Sequence, residues 1–207
     1  MPSLAFSAAM LGIEGYVVRV ETDSSAGTPS FSIIGLPDRA LREACDRVRA
    51  AIFNSGFAYP AGQLLVNLSP ADVRKAGPAF DLAIALALVA IDEQVDRHAL
   101  QGFIALGELT LDGKLQPVNG ILPMVLGARS AGFCKLIRSG AQCRRSRAGR
   151  RHRPVRRRLA GIGGSRHRRQ RHEVAQANDT AWARRIRRRR ARRSGRRART
   201  GGRQTGA

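Results

Sequence analysis

Lysine, cysteine and long hydrophobic runs are scarce in this chain of 207 residues. Of its 37 basic residues only three are lysine, so arginine supplies almost all of the positive charge. The three cysteines form no C-x-x-C pair, which excludes the disulfide framework of a small secreted scaffold and favours a reducing, cytoplasmic setting. The longest apolar run, residues 82–91, has about half the length of a membrane-spanning helix, and residues 1–10 lack the basic and apolar regions of a signal peptide. We therefore expect no membrane partner.

The net charge of +22 is distributed very unevenly. Residues 1–138 carry twelve basic and thirteen acidic side chains, whereas residues 139–207 carry twenty-five arginines against Glu173 and Asp179. A uniformly basic globular protein is thereby excluded. The sequence predicts a domain over residues 1–138 and an arginine-rich tail over residues 139–207, which we expect to be disordered because it has high charge and few apolar residues.

Residue patterns in the first part predict an α+β domain with a largely antiparallel sheet and about three helices. Asp38 is placed to cap the first helix, and the Asp112-Gly113 pair indicates a hairpin turn. The predicted strands lie within residues 4–20 (as a hairpin or meander), 31–34, 63–68, 103–109, 114–118 and 133–137. The predicted helices lie within residues 40–54, 82–90 and 121–131.

Five short motifs occur in order along this first part. They are Phe-Ser-Ile-Ile-Gly-Leu-Pro-Asp (31–38), Arg-Val-Arg-Ala-Ala-Ile with Asn-Ser-Gly-Phe (47–57), Val-Asn-Leu-Ser-Pro-Ala-Asp (66–72), Gly-Pro-Ala-Phe-Asp-Leu (77–82) and Leu-Gly-Glu-Leu (106–109).

Together these motifs resemble the N-terminal domain of the magnesium-chelatase-like AAA+ ATPases of bacteria, the group that includes the competence-associated branch-migration helicase. The resemblance covers residues 4–137. It implies a fold of the ribosomal-protein-S5 domain-2 type, similar to the proteolytic domain of Lon-type proteases, ahead of an ATPase module that uses ATP and magnesium. Beyond Ile137 the resemblance ends, so we expect the sheet to be incomplete at its C-terminal end, with an open edge.

The motifs mark candidate structural residues, and none of them is assigned a catalytic step. Gly77 and Pro78 are interpreted as a sharp turn before a buried helix, and Asp81 as an acid that complements the dipole at the helix start. The charges of the first helix favour a solvated face, with partner binding through Arg42, Arg47 and Arg49 as the alternative. The full set of marked positions is Gly35, Leu36, Pro37, Asp38, Arg47, Arg49, Asn67, Asp72, Gly77, Pro78, Asp81, Gly107 and Glu108.

The similarity to Lon proteases implies positions for a serine–lysine dyad, and both are changed here. Ala79 stands where the nucleophile would be, and Leu122 where the base would be. A methyl and an isobutyl group can neither attack a carbonyl nor accept a proton, so we expect no peptidase activity.

The phosphate-binding pattern G-x-x-x-x-G-K-[ST], which nucleotide hydrolysis of this type needs, does not occur. The glycine-rich residues 161–165 are not followed by Lys and Ser or Thr. We therefore expect this chain alone to bind no cofactor, to hydrolyse no ATP and to form no AAA+ type ring. The resemblance implies that the parent family is an ATPase, whereas we expect no enzymatic activity from this chain alone.

The arginine-rich tail admits two interpretations. Its guanidinium groups predict non-specific nucleic-acid binding with a steep salt dependence, although Trp182 is its only aromatic residue for base stacking. Alternatively, a composition of Arg, Gly and Ala with almost no Lys is what a GC-rich coding sequence gives out of phase, which predicts a frameshift after about residue 138. A zinc site from Cys143, His152, His167 and His172 is disfavoured, because their spacings match no common pattern and the surrounding cations oppose it.

Overall fold

In this computed structural model the residues described are 2–139 and 173–177. Seven strands form one mixed sheet in the order β3-β4-β2-β1-β5-β8-β9, and β6 pairs with β7 in a separate two-stranded sheet. The strands are β1 (Ser3–Leu11), β2 (Glu14–Ser25), β3 (Ser30–Ile34), β4 (Gln63–Ser69), β5 (Phe103–Ala105), β6 (Glu108–Leu109), β7 (Leu115–Gln116), β8 (Lys135–Ser139) and β9 (Glu173–Ala177).

The predicted antiparallel character of the sheet is wrong. Strand β2 pairs antiparallel with β1 and β4, while the pairs β3–β4, β1–β5, β5–β8 and β8–β9 are all parallel. Six of the seven strands therefore run in one direction, and β2 alone runs against them. The prediction failed because the β1–β2 hairpin is visible in the local sequence, whereas the parallel partners are joined by long connections.

The helices agree with the helical patterns in the sequence. Asp38 caps α1, accepting a 2.7 Å hydrogen bond from the Leu41 amide, as expected. All eleven residues of α2 are buried, which explains its continuous apolar sequence. The helices are α1 (Arg39–Asn54), α2 (Asp81–Ile91), the short α3 (Arg97–Leu100) and α4 (Ile121–Ser130), with a 3-10 turn at Pro78–Phe80.

Helices cover both faces of the sheet. On one face α1 and α2 pack against alternate residues of the strands, among them Val18 and Val20 of β2. On the other face α4 lies directly on β2, because a Cβ atom at Gly127 would stand 1.9 Å from the Gly15 carbonyl oxygen. The two glycines thus permit a backbone-to-backbone approach of helix and strand.

Two further expectations about the strands need correction. Residues 103–109 do not form one strand: β5 ends at Ala105, and β6 begins at Glu108 and forms the predicted hairpin with β7. The open edge expected beside β8 is also not found, since β9 from the arginine-rich part pairs with all five residues of β8. Residues 173–177 of the predicted tail form β9, and the remaining tail residues, for which disorder was predicted, lie outside the described part. Among the helices of the described residues, none combines the length and the apolar composition that a membrane span requires.

Candidate functional site

The six strands that run in one direction end at the same edge of the sheet, and three of the sequence motifs continue directly from those ends. Strand β3 leads into residues 35–38, β4 into residues 70–78 and β5 into residues 106–108. Loops at the carboxyl ends of parallel strands are the usual position of functional residues in sheets of this kind. We call these three loops the motif edge.

Asp38 ties two loops of the motif edge together. One carboxylate oxygen caps α1, and the other accepts a 3.2 Å hydrogen bond from the Gly77 amide. The backbones add two bonds, since the Lys75 amide donates to the Leu36 carbonyl at 3.1 Å and the Asp38 amide donates to the Lys75 carbonyl at 3.0 Å. Pro37 and Lys75 form an isolated parallel bridge at the same place. The 35–38 loop is therefore hydrogen-bonded to the 70–78 loop at several positions.

Backbone conformations at the motif edge require particular residues. Gly35 has φ +96°, and a Cβ atom there would lie 2.1 Å from the Leu68 carbonyl oxygen. Gly77 has φ +82°, but space around it is open, so its conformation and not crowding favours glycine. Leu36 also has a positive φ, +54°, and its side chain is exposed. Pro78 begins the 3-10 turn that leads into α2, which agrees with the predicted sharp turn.

Asp81 is wholly buried at the first residue of α2 and bonds to two other elements. Its carboxylate accepts hydrogen bonds from Arg47 Nε at 3.1 Å, from Arg47 Nη2 at 3.4 Å and from the Leu109 amide at 3.2 Å. Burial raises the pKa of Asp81 to about 6, although Arg47 and the Leu109 amide act to lower it. Asp81 is therefore more than the helix-start acid inferred from sequence, because it joins α2 to α1 and to β6.

Arg47 accordingly does not belong to a freely solvated face of α1. Its side chain is 26% exposed, and its guanidinium group is bound to Asp81 within the same chain. Arg49 is exposed and lies over the Tyr59 ring, with 5.5 Å from Cζ to the ring centroid. Of the two marked arginines, Arg49 is thus the one presented to solvent.

The third loop of the motif edge, residues 106–108, is hydrogen-bonded through its backbone to the start of α2 and the residues before it. The Gly107 amide donates to the Ala79 carbonyl at 3.1 Å, and the Leu82 amide donates to the Gly107 carbonyl at 3.2 Å. Glu108 is partly buried beside this junction, and its charge adds to the rise in the pKa of Asp81. The Gly-Pro-Ala-Phe-Asp-Leu and Leu-Gly-Glu-Leu motifs therefore meet in one hydrogen-bonded junction.

Two marked residues stand apart from this junction. Asn67 lies on β4, and its side-chain amide donates to Glu21 Oε2 at 3.1 Å and to Ser69 Oγ at 3.4 Å. Asp72 is exposed in the turn that follows β4. The structure thus gathers most of the marked positions at one edge but does not bring all of them into one contact network.

The two positions of the implied protease dyad differ in environment. Ala79 is 4% exposed and packs in the core cluster beneath α4, whereas Leu122 on α4 is 62% exposed. Both side chains are hydrocarbon, so neither a nucleophile nor a proton acceptor is present at these positions.

Sequence reasoning missed two residues, Lys75 in the 70–78 loop of the motif edge and Tyr16 of β2. Lys75 is completely buried, and its Nζ has no hydrogen-bond partner among the described residues. The buried hydroxyl of Tyr16, at the start of β2, likewise has none. A signal existed for Lys75, which is one of only three lysines and directly precedes the Gly77 loop, while Tyr16 lies in an ordinary strand pattern.

The described residues contain no group of three or more His, Cys, Asp and Glu side chains that could hold a metal ion. The disfavoured zinc site from Cys143 and three histidines lies outside the described part of the chain.

The chain matches the protein family described as subunit ChlI of Mg-chelatase over residues 20–141, which is more than half of its length. It belongs to this family.

Among known proteins, it is similar to the competence protein ComM of Haemophilus influenzae, with 40% identity over 129 residues, covering 62% of this chain and 25% of ComM. The uncharacterized protein YifB of Escherichia coli is 41% identical over 130 residues, covering 63% of this chain and 26% of YifB. The chain thus spans about a quarter of the length of these relatives. A more distant similarity, 25% identity over 144 residues, connects it with the Lon protease of Salinispora arenicola, covering 66% of this chain and 18% of that protein.

Proposed function

We propose that residues 1–138 act as a non-catalytic N-terminal accessory domain of a cytoplasmic magnesium-chelatase-like AAA+ ATPase, with a fold of the ribosomal-protein-S5 domain-2 type. The observation that carries this proposal is that two acidic side chains of the motifs form hydrogen bonds within the domain. Asp38 and Asp81 bond to neighbouring loops and to Arg47, so these two motif carboxylates make contacts within the domain.

The chemistry of the remaining motif positions supports a non-catalytic role. The dyad positions Ala79 and Leu122 carry hydrocarbon side chains, and the sequence has no phosphate-binding loop. Two observations support this: the described residues contain no group of three or more His, Cys, Asp and Glu side chains, and Lys75 is enclosed within the protein. In this proposal ATP and magnesium are used by the part of the longer relatives that lies outside the matched quarter.

A chimera tests the accessory role. Residues 1–139 of this chain would replace the matched quarter of Haemophilus influenzae ComM, and natural transformation of a strain lacking ComM would be measured. We expect the chimera to restore transformation to within about tenfold of the parental protein, whereas ComM lacking its matched quarter should not. A chimera that accumulates normally yet performs no better than the deletion would refute the proposal.

The alternative function is non-specific nucleic-acid binding through the arginine-rich tail. It is favoured by the charge of residues 139–207, where twenty-five arginines oppose two acidic residues. Under the frameshift hypothesis this binding would be incidental. Translating the genomic DNA in its other two frames separates the two, because a frameshift requires that one of them restores a family-like continuation with a phosphate-binding loop.

A further inference from the structure

Two buried donors beside the motif edge have no acceptor among the described residues. Lys75 Nζ is enclosed, with the whole residue 0% exposed, and the Tyr16 hydroxyl oxygen is buried at the start of β2. Buried polar groups in folded proteins are almost always hydrogen-bonded, and an unpaired buried ammonium group is especially unfavourable. Both donors therefore call for the same kind of partner, an acceptor that is preferably negatively charged.

The pairing of β2 with β4 indicates which acceptor is within reach. These strands are antiparallel, and Arg19 lies opposite Ser69, the last residue of β4. Asp72 lies three residues beyond Ser69 and Tyr16 three residues before Arg19, so both follow on the same side of this last pair of the ladder. Lys75 follows Asp72 by three residues and is fixed by its backbone bonds to Leu36 and Asp38.

The electrostatics agree with this placement. Burial raises the pKa of Tyr16, and the charge of Asp72 raises it further. Burial lowers the pKa of Lys75, and the charge of Asp72 opposes that change. Asp72 is thus the charged residue that acts on both groups, although its own side chain is exposed in the turn at residues 71–72.

We propose that Lys75 and Tyr16 form a carboxylate-binding site and that Asp72 of the adjoining turn is its occupant. Rotation of the Asp72 side chain inward lets its carboxylate accept hydrogen bonds from Lys75 Nζ and from the Tyr16 hydroxyl. The closed arrangement ties the start of β2 to the 70–78 loop and, through Lys75, to the loop that carries Asp38. An external carboxylate entering beside the same turn is the other source of this chemistry.

Thermal unfolding of single and double variants of the full chain tests the occupant. Asp72→Asn should lower Tm by about 4 °C or more, because it leaves a buried amine without its partner. Asp92→Asn, at an exposed carboxylate just after α2, is the matched control and should change Tm little. Adding Lys75→Met to Asp72→Asn should recover most of the loss, since a hydrocarbon side chain needs no acceptor.

The opposite pattern would overturn the proposal. If Asp72→Asn equals the control and Lys75→Met raises Tm equally with and without Asp72, then Lys75 has no carboxylate partner. If 100 mM acetate raises the Tm of the wild type but not of Lys75→Met, while Asp72→Asn equals the control, the site takes an external carboxylate and Asp72 is not its occupant.

A spectroscopic measurement on the unmodified chain keeps the test independent of how well the variants fold. The ¹⁵Nζ resonance of Lys75 at pH 7 should be that of an ammonium group protected from exchange with water. A neutral amine signal would contradict the ion pair.

Discussion

The Asp81 carboxylate at the first residue of α2 accepts two hydrogen bonds from the guanidinium group of Arg47 on α1, at 3.1 and 3.4 Å. This pair crosses between the two helices that cover one face of the sheet. Asp81 is completely buried while Arg47 is partly exposed, so the carboxylate depends on the arginine more than the arginine depends on the carboxylate.

Removing the arginine should therefore destabilise the domain strongly. Arg47→Met leaves the buried Asp81 with a single hydrogen bond, from Leu109, and should reduce the free energy of unfolding by about 3 kcal/mol. Arg49→Met is the matched control on the same helix and should cost at most about 1 kcal/mol, the value of an exposed cation–π contact. Urea unfolding followed by circular dichroism measures both. Equal effects of the two variants would show that the Arg47–Asp81 pair adds nothing.

The raised pKa of Asp81, about 6 against an ordinary 3.8, predicts a particular pH dependence. The folded protein holds this proton more tightly than the unfolded chain, so its contribution to stability is fully present below about pH 4 and is lost as pH rises through 6. As pH rises from 4 to 7, the free energy of unfolding of the wild type should fall by about 2 to 3 kcal/mol relative to that of Asp81→Asn. Unfolding curves of both proteins at pH 4, 5, 6 and 7 give this difference. A difference that grows in favour of wild type with rising pH would mean that the ion pair with Arg47 outweighs burial.

Gly35 of the motif edge should tolerate no side chain. Gly35→Ala places a methyl group against the Leu68 carbonyl, 2.1 Å from its oxygen before any relaxation, and also strains φ. Gly12→Ala, in the β1–β2 turn, has φ +61° but open space, so it isolates the conformational strain at about 1 kcal/mol. We expect Gly35→Ala to cost at least about 2 kcal/mol more. Thermal denaturation of both variants measures this difference. Similar losses of stability in Gly35→Ala and Gly12→Ala would show that the loop shifts to accept the methyl group.

The two sides of α4 should respond differently to truncation. Met124 is 7% exposed and packs in the core between helix and sheet, so Met124→Ala should cost about 2 kcal/mol or more. Leu122 is 62% exposed, and Leu122→Ala should stay within about 0.5 kcal/mol of wild type. Chemical denaturation of the pair tests the orientation of α4, which a larger effect at Leu122 would contradict.

The arginine-rich tail predicts binding that is strong, non-specific and very sensitive to salt. The full chain should bind a fluorescent DNA duplex and an unrelated duplex equally, with affinity falling at least about tenfold between 50 and 200 mM NaCl. Residues 1–139, whose charges nearly balance, should bind weakly or not at all. Fluorescence anisotropy provides the measurement, and comparable binding by residues 1–139 would assign the activity to the domain.

Local patterns predicted most of the elements. Alternation identified β2, composition identified β4, and the Gly-Leu-Pro-Asp stop marked the end of β3. The Asp38 cap with helical spacing identified α1, because in each case the deciding interactions lie a few residues apart. Whether neighbouring strands run parallel or antiparallel depends on pairs such as Phe6 with Ile104. These residues are far apart in the sequence, so no local pattern predicts their contact. Strand β9 was missed for the same reason, because its partner β8 belongs to the predicted domain while β9 lies in the arginine-rich tail.

In the candidate site, too, local features were predictable from the sequence and long-range contacts were not. The glycine and proline positions of the motif edge were predictable, since they follow from backbone geometry in short loops. The partner of Asp81 lies 34 residues earlier on another helix, so the motif marked Asp81 but could not predict its ion pair with Arg47. Lys75 was overlooked because a lysine in a polar loop is ordinarily solvent-exposed, and only the folded arrangement encloses it.

The strand order constrains how the chain reaches this sheet. Strands β2 and β3 are separated by only residues 26–29, yet β4 lies between them. They must stay about 10 Å apart until β4, which comes after α1, enters the gap. The β1–β2 hairpin closes over a two-residue turn, whereas β5 reaches β1 across a separation of 98 residues, as between Ser7 and Ala105. Loop-closure entropy therefore favours a sequence of events in which the hairpin forms early, β4 inserts beside it, and β5 completes the middle of the sheet last.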